Sequence, residues 1–330
     1  MTAVETGGPG DRPAKGAALL ADIGGTNARF ALYRDDGGVE PLANLAVGDH
    51  AGPAAAIRAA LGDRPAPGLA VLAVAAPVHR APVRLTNAGW TFDPAEIVTA
   101  TGIARVELVN DFAAQAWAIG KFAPGDLRAL GGGRGLPGAA RAVLGAGTGL
   151  GVATWLPGSE HSRPRVLAGE GGHAALAAED DRDAALLAQL RRTLGGRVSA
   201  ERVLSGSGLV LLARAVAEID GLRQPPEDPA QITVGADAGD PACAGAVRQF
   251  AAFLGSFAGD LALIAGAWDG VYVAGGIPPK IAKFLTDGRF RDRFEAKGRF
   301  AGELAAVPVH LVVRDDPAFL GLSVLAGRLA

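Results

Sequence analysis

The chain has 330 residues, more than a single core usually spans, so two domains are expected. A formal net charge of -2 and a pI near 6.2 supply no global basic field, which argues against nucleic acid or an anionic membrane as partner. The single cysteine, Cys243, excludes an intrachain disulfide and a multi-thiolate zinc site, and its Ala-rich helical setting reads as that of a small buried hydrophobe.

Residues 1–16 are rich in Gly, Pro, Thr and charge without periodicity, and are read as a disordered extension outside the fold. No basic and apolar leader opens the sequence, so the cytoplasm is the expected compartment. A strand is predicted over 18–23. After Gly24-Gly25-Thr26, Ala28, Phe30 and Leu32 alternate with Asn27, Arg29 and Ala31, so a second strand follows over 27–33 and the glycine turn joins strand to strand. Such a turn is often only a tight turn. It also lets bare backbone N–H groups and a Thr hydroxyl approach phosphate oxygens, with Asp22 placed to reach Mg²⁺ through water. The P-loop pattern is absent, because the only Gly-Lys pair, Gly120-Lys121, runs into Phe122.

Farther along, a helix is predicted near 52–61, strands near 69–75 and 106–109, and a helix from Asp111 to about Ile119, which makes this part α/β. Asn110-Asp111 therefore falls where a strand gives way to a helix. An Asp there is commonly an N-cap. Phosphoryl transfer, however, needs a base for the attacking hydroxyl and a neighbour to orient the acceptor, and these two adjacent residues could supply both.

A second hairpin follows at Gly145-Ala146-Gly147-Thr148-Gly149-Leu150-Gly151, between strand-like runs 142–144 and 152–155. Leu150 stands where the dinucleotide fingerprint needs Gly or Ala, so this turn too joins strand to strand. Two Gly-Thr hairpins far apart in sequence suggest duplicated halves that could clamp a polyphosphate from both sides. Glu170 and His173 lie on a Gly-dense loop, and Glu201 is read as opening a helix near 200–217. Taken singly, these are the residues of an ordinary structural loop and a helix first turn. Together with Asn110 and Asp111 they offer the mixed donors and acceptors that a polyhydroxylated ring requires.

Helices are predicted near 180–194 and 241–266, and the Pro-rich stretch 220–240 is read as a surface loop. The apolar run 250–277 is interrupted by Asp260 and Asp269 and is read as a buried helix leading into a strand at 270–274, not as a membrane span. Gly275-Gly276 follows that strand. A helix near 278–286, a strand near 308–312 and a final helix from Pro317 complete the chain.

From about 18 to 327 the sequence resembles bacterial glucokinases of the hexokinase and actin-like ATPase superfamily, outside its ROK group, whose Cys-rich zinc motif one cysteine cannot supply. The resemblance lies in Asp22-Ile23-Gly24-Gly25-Thr26-Asn27, Val109-Asn110-Asp111-Phe112, Gly145 to Gly151, Gly169 to His173 and Ser199 to Gly206. It implies an α/β two-domain actin-like ATPase fold of the ribonuclease H-like type. In that fold a cleft separates a small α/β domain, 17–110 with 317–330, from a larger α-rich domain, 111–316. It implies Asp111 as general base on the sugar 6-hydroxyl, with Asn110, Glu170, His173 and Glu201 on other hydroxyls. ATP would lie at Ala21, Asp22, Ile23, Gly24, Gly25 and Thr26 and at Gly147, Thr148 and Gly149, with Gly275 and Gly276 near the adenosine and Mg²⁺ at Asp22. The partners implied are D-glucose, ATP and a second copy in a homodimer. A kinase for another hexose and a sugar-sensing protein without turnover are the rival readings; retention of Asp22, Asp111 and both hairpins argues against the sensor.

Overall fold

The computed structural model describes residues 17–34, 36–85 and 89–329. The expected N-terminal extension, 1–16, lies outside them. The chain divides into two compact units, one running to Asp111 and resuming at Leu322, the other Phe112–Gly321.

The first unit is a five-stranded sheet with helices. Its elements are β1 (Ala18–Ile23), β2 (Asn27–Tyr33), β3 (Val39–Ala46), α1 (Pro53–Leu61), β4 (Leu69–Val74), the short pair β5 (Val83–Arg84) and β6 (Thr91–Phe92), α2 (Pro94–Thr101) and β7 (Arg105–Asn110). The order is β3-β2-β1-β4-β7, antiparallel from β3 to β1 and parallel from β1 through β4 to β7. β4 is buried at every position, as a central parallel strand covered on both faces should be. Asp93 starts α2 by accepting the Ala95 N–H at 2.9 Å, and Gly102, left-handed at φ 75°, stops it. Phe30, Ile57, Leu72, Phe92 and Ile97 fill the core.

α3 (Asp111–Ala118) leads into the second unit, where β8 (Leu127–Gly131), β9 (Arg141–Ala146), β10 (Leu150–Leu156) and β11 (Arg165–Gly169) precede the helices. Those are α4 (Asp181–Leu194), α5 (Gly206–Ile219), α6 (Pro229–Asp237) and α7 (Pro241–Ala265). β12 (Val271–Ala274), α8 (Ala282–Leu285), α9 (Arg289–Glu295), α10 (Ala301–Ala306), β13 (Val309–Val312) and α11 (Pro317–Leu329) follow. The sheet order is β11-β10-β9-β12-β13-β8. Its first five strands repeat the order and the strand senses of the first unit, with β8 added antiparallel at the end. The duplication suggested by the two hairpins is therefore present in the topology.

α7 is the one helix among the described residues long and apolar enough to cross a membrane, but 72% of its apolar window is buried inside the protein, as a core helix requires. Gly255 and Gly259 let α9 approach it: a Cβ would fall 2.2 Å from the Phe290 carbonyl oxygen at the first and 2.4 Å from that of Phe294 at the second. Cys243 is 1% exposed on α7; burial, then the neighbouring Asp240, pushes its thiol up to about 11, so it behaves as the hydrophobe expected. Two expectations are corrected. The stretch 220–240 contains α6, because Pro229 occupies the first helical turn, where its missing N–H costs nothing, and Asp228 caps it. The helix expected near 200 begins at Gly206, capped by Ser205, so Glu201 lies in a turn.

Candidate active site

In the first unit the three parallel strands end level. Ile23 pairs with Val74 and Val74 with Asn110, so the turn after β1 and the start of α3 leave the sheet at its carboxyl edge, where α/β sheets bind ligands. At strand spacing of about 4.8 Å the ends of β1 and β7 stand roughly 10 Å apart. At the turn, Gly24 N–H donates to the Asn27 carbonyl at 2.9 Å and Thr26 is exposed. Among the described residues the N–H groups of Gly25 and Thr26 donate to nothing within the protein. Adjacent bare amides of this kind form an anion-binding concavity. Ala21 and Ile23 are fully buried strand residues, so only their backbone could meet a ligand. Asn110 Nδ2 reaches toward the Ala76 carbonyl at 3.5 Å. Asp111, half-buried, is the first residue of α3, where the helix dipole favours its ionised form.

Arg29 stands opposite Asp22 in the β1–β2 register and donates to its Oδ2. Sequence reasoning missed this pair. The signal was there, since a tight turn over 24–27 places 22 and 29 symmetrically about it. Among the described residues no cluster of three or more His, Cys, Asp or Glu side chains could hold a metal ion. A lone, half-engaged carboxylate does not cage Mg²⁺; it does suit an ion carried by phosphate oxygens and waters.

In the second unit the remaining candidates gather round the β9–β10 hairpin. Gly147 N–H donates to the Gly149 carbonyl at 2.8 Å, and among the described residues the Thr148 and Gly149 N–H groups donate to nothing within the protein. This tip thus repeats the pair of bare amides and the exposed Thr of the first. Gly275 and Gly276 lie against it: Gly275 has φ +91°, and a Cβ there would fall 2.4 Å from the Ala146 carbonyl oxygen. The loop carrying Glu170 and His173 packs on β10, since a Cβ at Gly172 would fall 2.0 Å from the Leu150 carbonyl oxygen. Glu170 is exposed, and among the described residues its carboxylate takes no hydrogen bond. Glu201 Oε2 accepts the Leu150 N–H at 3.0 Å, and Oε1 lies 3.8 Å from Nδ1 of the exposed His173. Arg197 donates to the His173 carbonyl. Nothing local in the sequence announces that contact.

Ring packing adds a residue to this hairpin. Gly145 and Gly151 are register partners, and a Cβ would meet the Phe112 ring at 2.7 Å from the first and 1.8 Å from the second. Both glycines make room for that ring.

The sequence model of the family described as Glucokinase matches residues 19–329. The chain belongs to the glucokinase family. It is 46% identical over 310 residues to the glucokinase of Paramagnetospirillum magneticum, an alignment covering 92% of this chain and 96% of that one. Against the glucokinase of Caulobacter sp. the identity is 41% over 317 residues, covering 94% of each. Among solved structures, a glucokinase from an Antarctic psychrotroph superposes with TM-score 0.83 at 37% identity, covering 94% of this chain and 99% of that one. The resemblance read from the motifs is borne out, and with it the ribonuclease H-like fold class expected of the glucokinase family.

Proposed function

We propose that this chain is an ATP-dependent glucokinase: it transfers the γ-phosphate of Mg²⁺-ATP to the 6-hydroxyl of D-glucose, giving glucose 6-phosphate and ADP. Membership of the glucokinase family supports the activity. The observation that carries the mechanism is the repeated hairpin, each tip offering two adjacent bare amides and a Thr hydroxyl, which is what a polyphosphate needs and a sugar sensor does not.

The roles follow from chemistry. Asp111 accepts the 6-hydroxyl proton as the oxygen attacks phosphorus in line, and as an ionised carboxylate at a helix N-terminus it is ready to do so. Asn110 orients the acceptor. Glu170, His173 and Glu201 bind the other hydroxyls, with the carboxylates accepting. The backbone of Ala21 to Thr26 and the tip of Gly147, Thr148 and Gly149 hold phosphates, and the Gly275-Gly276 turn, bare of side chains, takes the adenosine. Asp22 would hold Mg²⁺ through water, and bound Mg²⁺ neutralises the charge on the β- and γ-phosphate oxygens. Homodimer formation and a cytoplasmic setting belong to the same reading.

The test is ADP release from Mg²⁺-ATP with glucose, mannose, fructose and N-acetylglucosamine in parallel, for the wild type and Asp111→Ala. Turnover led by glucose and lowered about 10²–10⁴-fold in the variant is expected, with sugar affinity largely kept. Near-normal turnover by Asp111→Ala removes the base assignment. A different leading sugar removes glucose as substrate.

A further inference from the structure

Glu201 touches both functions assigned to the second unit. Its Oε2 holds the N–H of Leu150, the first residue of β10 after the hairpin tip, at 3.0 Å. The fit is tight, because a Cβ at Gly149 would lie 2.5 Å from that oxygen. Oε1 is turned to His173. The surrounding backbone fixes the same joint: Glu201 N–H donates to the Gly172 carbonyl and Gly206 N–H to the Gly147 carbonyl, each at 2.8 Å.

A carboxylate beside a phosphate grip needs explaining, since like charges repel and the tip offers only neutral amides against that repulsion. A group required solely to accept a sugar hydroxyl could stand elsewhere on the loop. What this position adds is a charge-assisted bond to the hairpin backbone. With the Gly147 and Leu150 N–H groups occupied, those of Thr148 and Gly149 are the pair left for a ligand.

We propose that Glu201 is a positioning residue for the second phosphate hairpin as well as a sugar ligand, so that one carboxylate couples sugar binding at Oε1 to phosphate binding at the Thr148 and Gly149 amides. The inference rests on the kinase reading above. A sugar hydroxyl donating to Oε1 fixes the carboxylate, the carboxylate fixes Leu150, and the hairpin is ordered before the nucleotide arrives. Reciprocity then requires the nucleotide to tighten sugar binding by the same factor.

The test measures Mg²⁺-ADP affinity by calorimetry with and without glucose, in the wild type, Glu201→Ala and Glu201→Gln. With no sugar present, Glu201→Ala is expected to bind ADP about tenfold more weakly, the equivalent of one lost hydrogen bond. Glu201→Gln keeps an amide oxygen for Leu150 and is expected to stay within about threefold of wild type for ADP, although its glucose KM rises. In the wild type glucose and ADP strengthen one another, and Glu201→Ala abolishes that coupling. If Glu201 serves the sugar alone, sugar-free ADP affinity is unchanged in folded Glu201→Ala, and the inference is overturned. Should Glu201→Ala fail to fold, Glu201→Gln decides: equal loss of ADP and glucose affinity overturns the inference, and loss confined to glucose upholds it. A wild type that phosphorylates no hexose overturns the kinase reading itself; a wild type active on glucose with ADP affinity insensitive to residue 201 overturns only the coupling.

Discussion

Phe112 shows how a single ring constrains residues that a motif would assign wholly to ligand binding. Gly145 and Gly151 stand in the phosphate-hairpin motif, yet the nearest atoms to a side chain at either position belong to that ring and, at 145, to the Ala274 backbone. Gly151→Ala must push the ring out of its slot, and overpacking of this kind costs about 1–3 kcal/mol. The denaturation midpoint is expected to fall accordingly. The double variant Gly151→Ala, Phe112→Ala should lose less than the sum of the two single losses, because removing the ring frees the space the methyl needs. Strictly additive losses in a denaturant series would show that ring and glycine do not share the slot. The place of Asp111 at the start of α3, by contrast, was legible from sequence, since the change from strand to helix periodicity falls on it. The Leu150–Glu201 bond was not, because it joins a backbone amide to a side chain 51 residues away with no periodic signal at either end.

Elements with one buried face declared themselves; those at edges did not. β1, β2, β7, α4 and α7 carry apolar patterns long enough to fix their limits to within a residue or two. β3 was missed because it is an edge strand with alternately exposed residues and Pro41 within it, and Pro in an apolar run argues against a strand. β8 and β11, at the ends of the other sheet, are likewise mostly exposed. α6 was hidden by reading Pro229 as a breaker when it is a first-turn residue. Asp228 accepts the Ala230 N–H at 2.9 Å there, and Asp228→Ala is expected to cost about 1 kcal/mol as other caps do. Asp228→Asn, which keeps the acceptor, should restore most of it. Equal losses in the two variants, measured by urea unfolding, would show that the cap contributes nothing.

At the scale of the folded molecule, stability in acid should turn on an ion network that ties α4, α7 and α9 together. Asp183 is fully buried, accepting from Gln249 at 2.7 Å and from Arg293 at 2.9 Å. Arg293 also pairs with Glu179 at 3.1 Å and Asp180 at 2.6 Å, and Lys297 bridges Glu179 and Asp260 at 2.8 Å each. Burial works to raise the Glu179 carboxyl, but hydrogen bonds from Lys297 and Arg293 outweigh it and hold the group below its ordinary value of 4.5. The Asp183 backbone N–H holds Asp180 below 3.8 in the same sense. A carboxyl depressed on folding stabilises the native state fully above its unfolded value and loses that contribution as pH falls through the folded one. The stability contributed here is therefore complete above about pH 4.5 and declines below it. Arg293→Met strands a buried carboxylate, which costs about 3–5 kcal/mol at neutral pH. Arg293 also helps to hold Glu179 and Asp180 below their ordinary values, and that help is lost as acid protonates them, so the deficit relative to wild type should narrow as the solution is acidified. Unfolding free energies from denaturant titrations at pH 7 and pH 4 test the sign: a deficit that is constant or grows in acid would show that Arg293 stabilises α4 by packing alone.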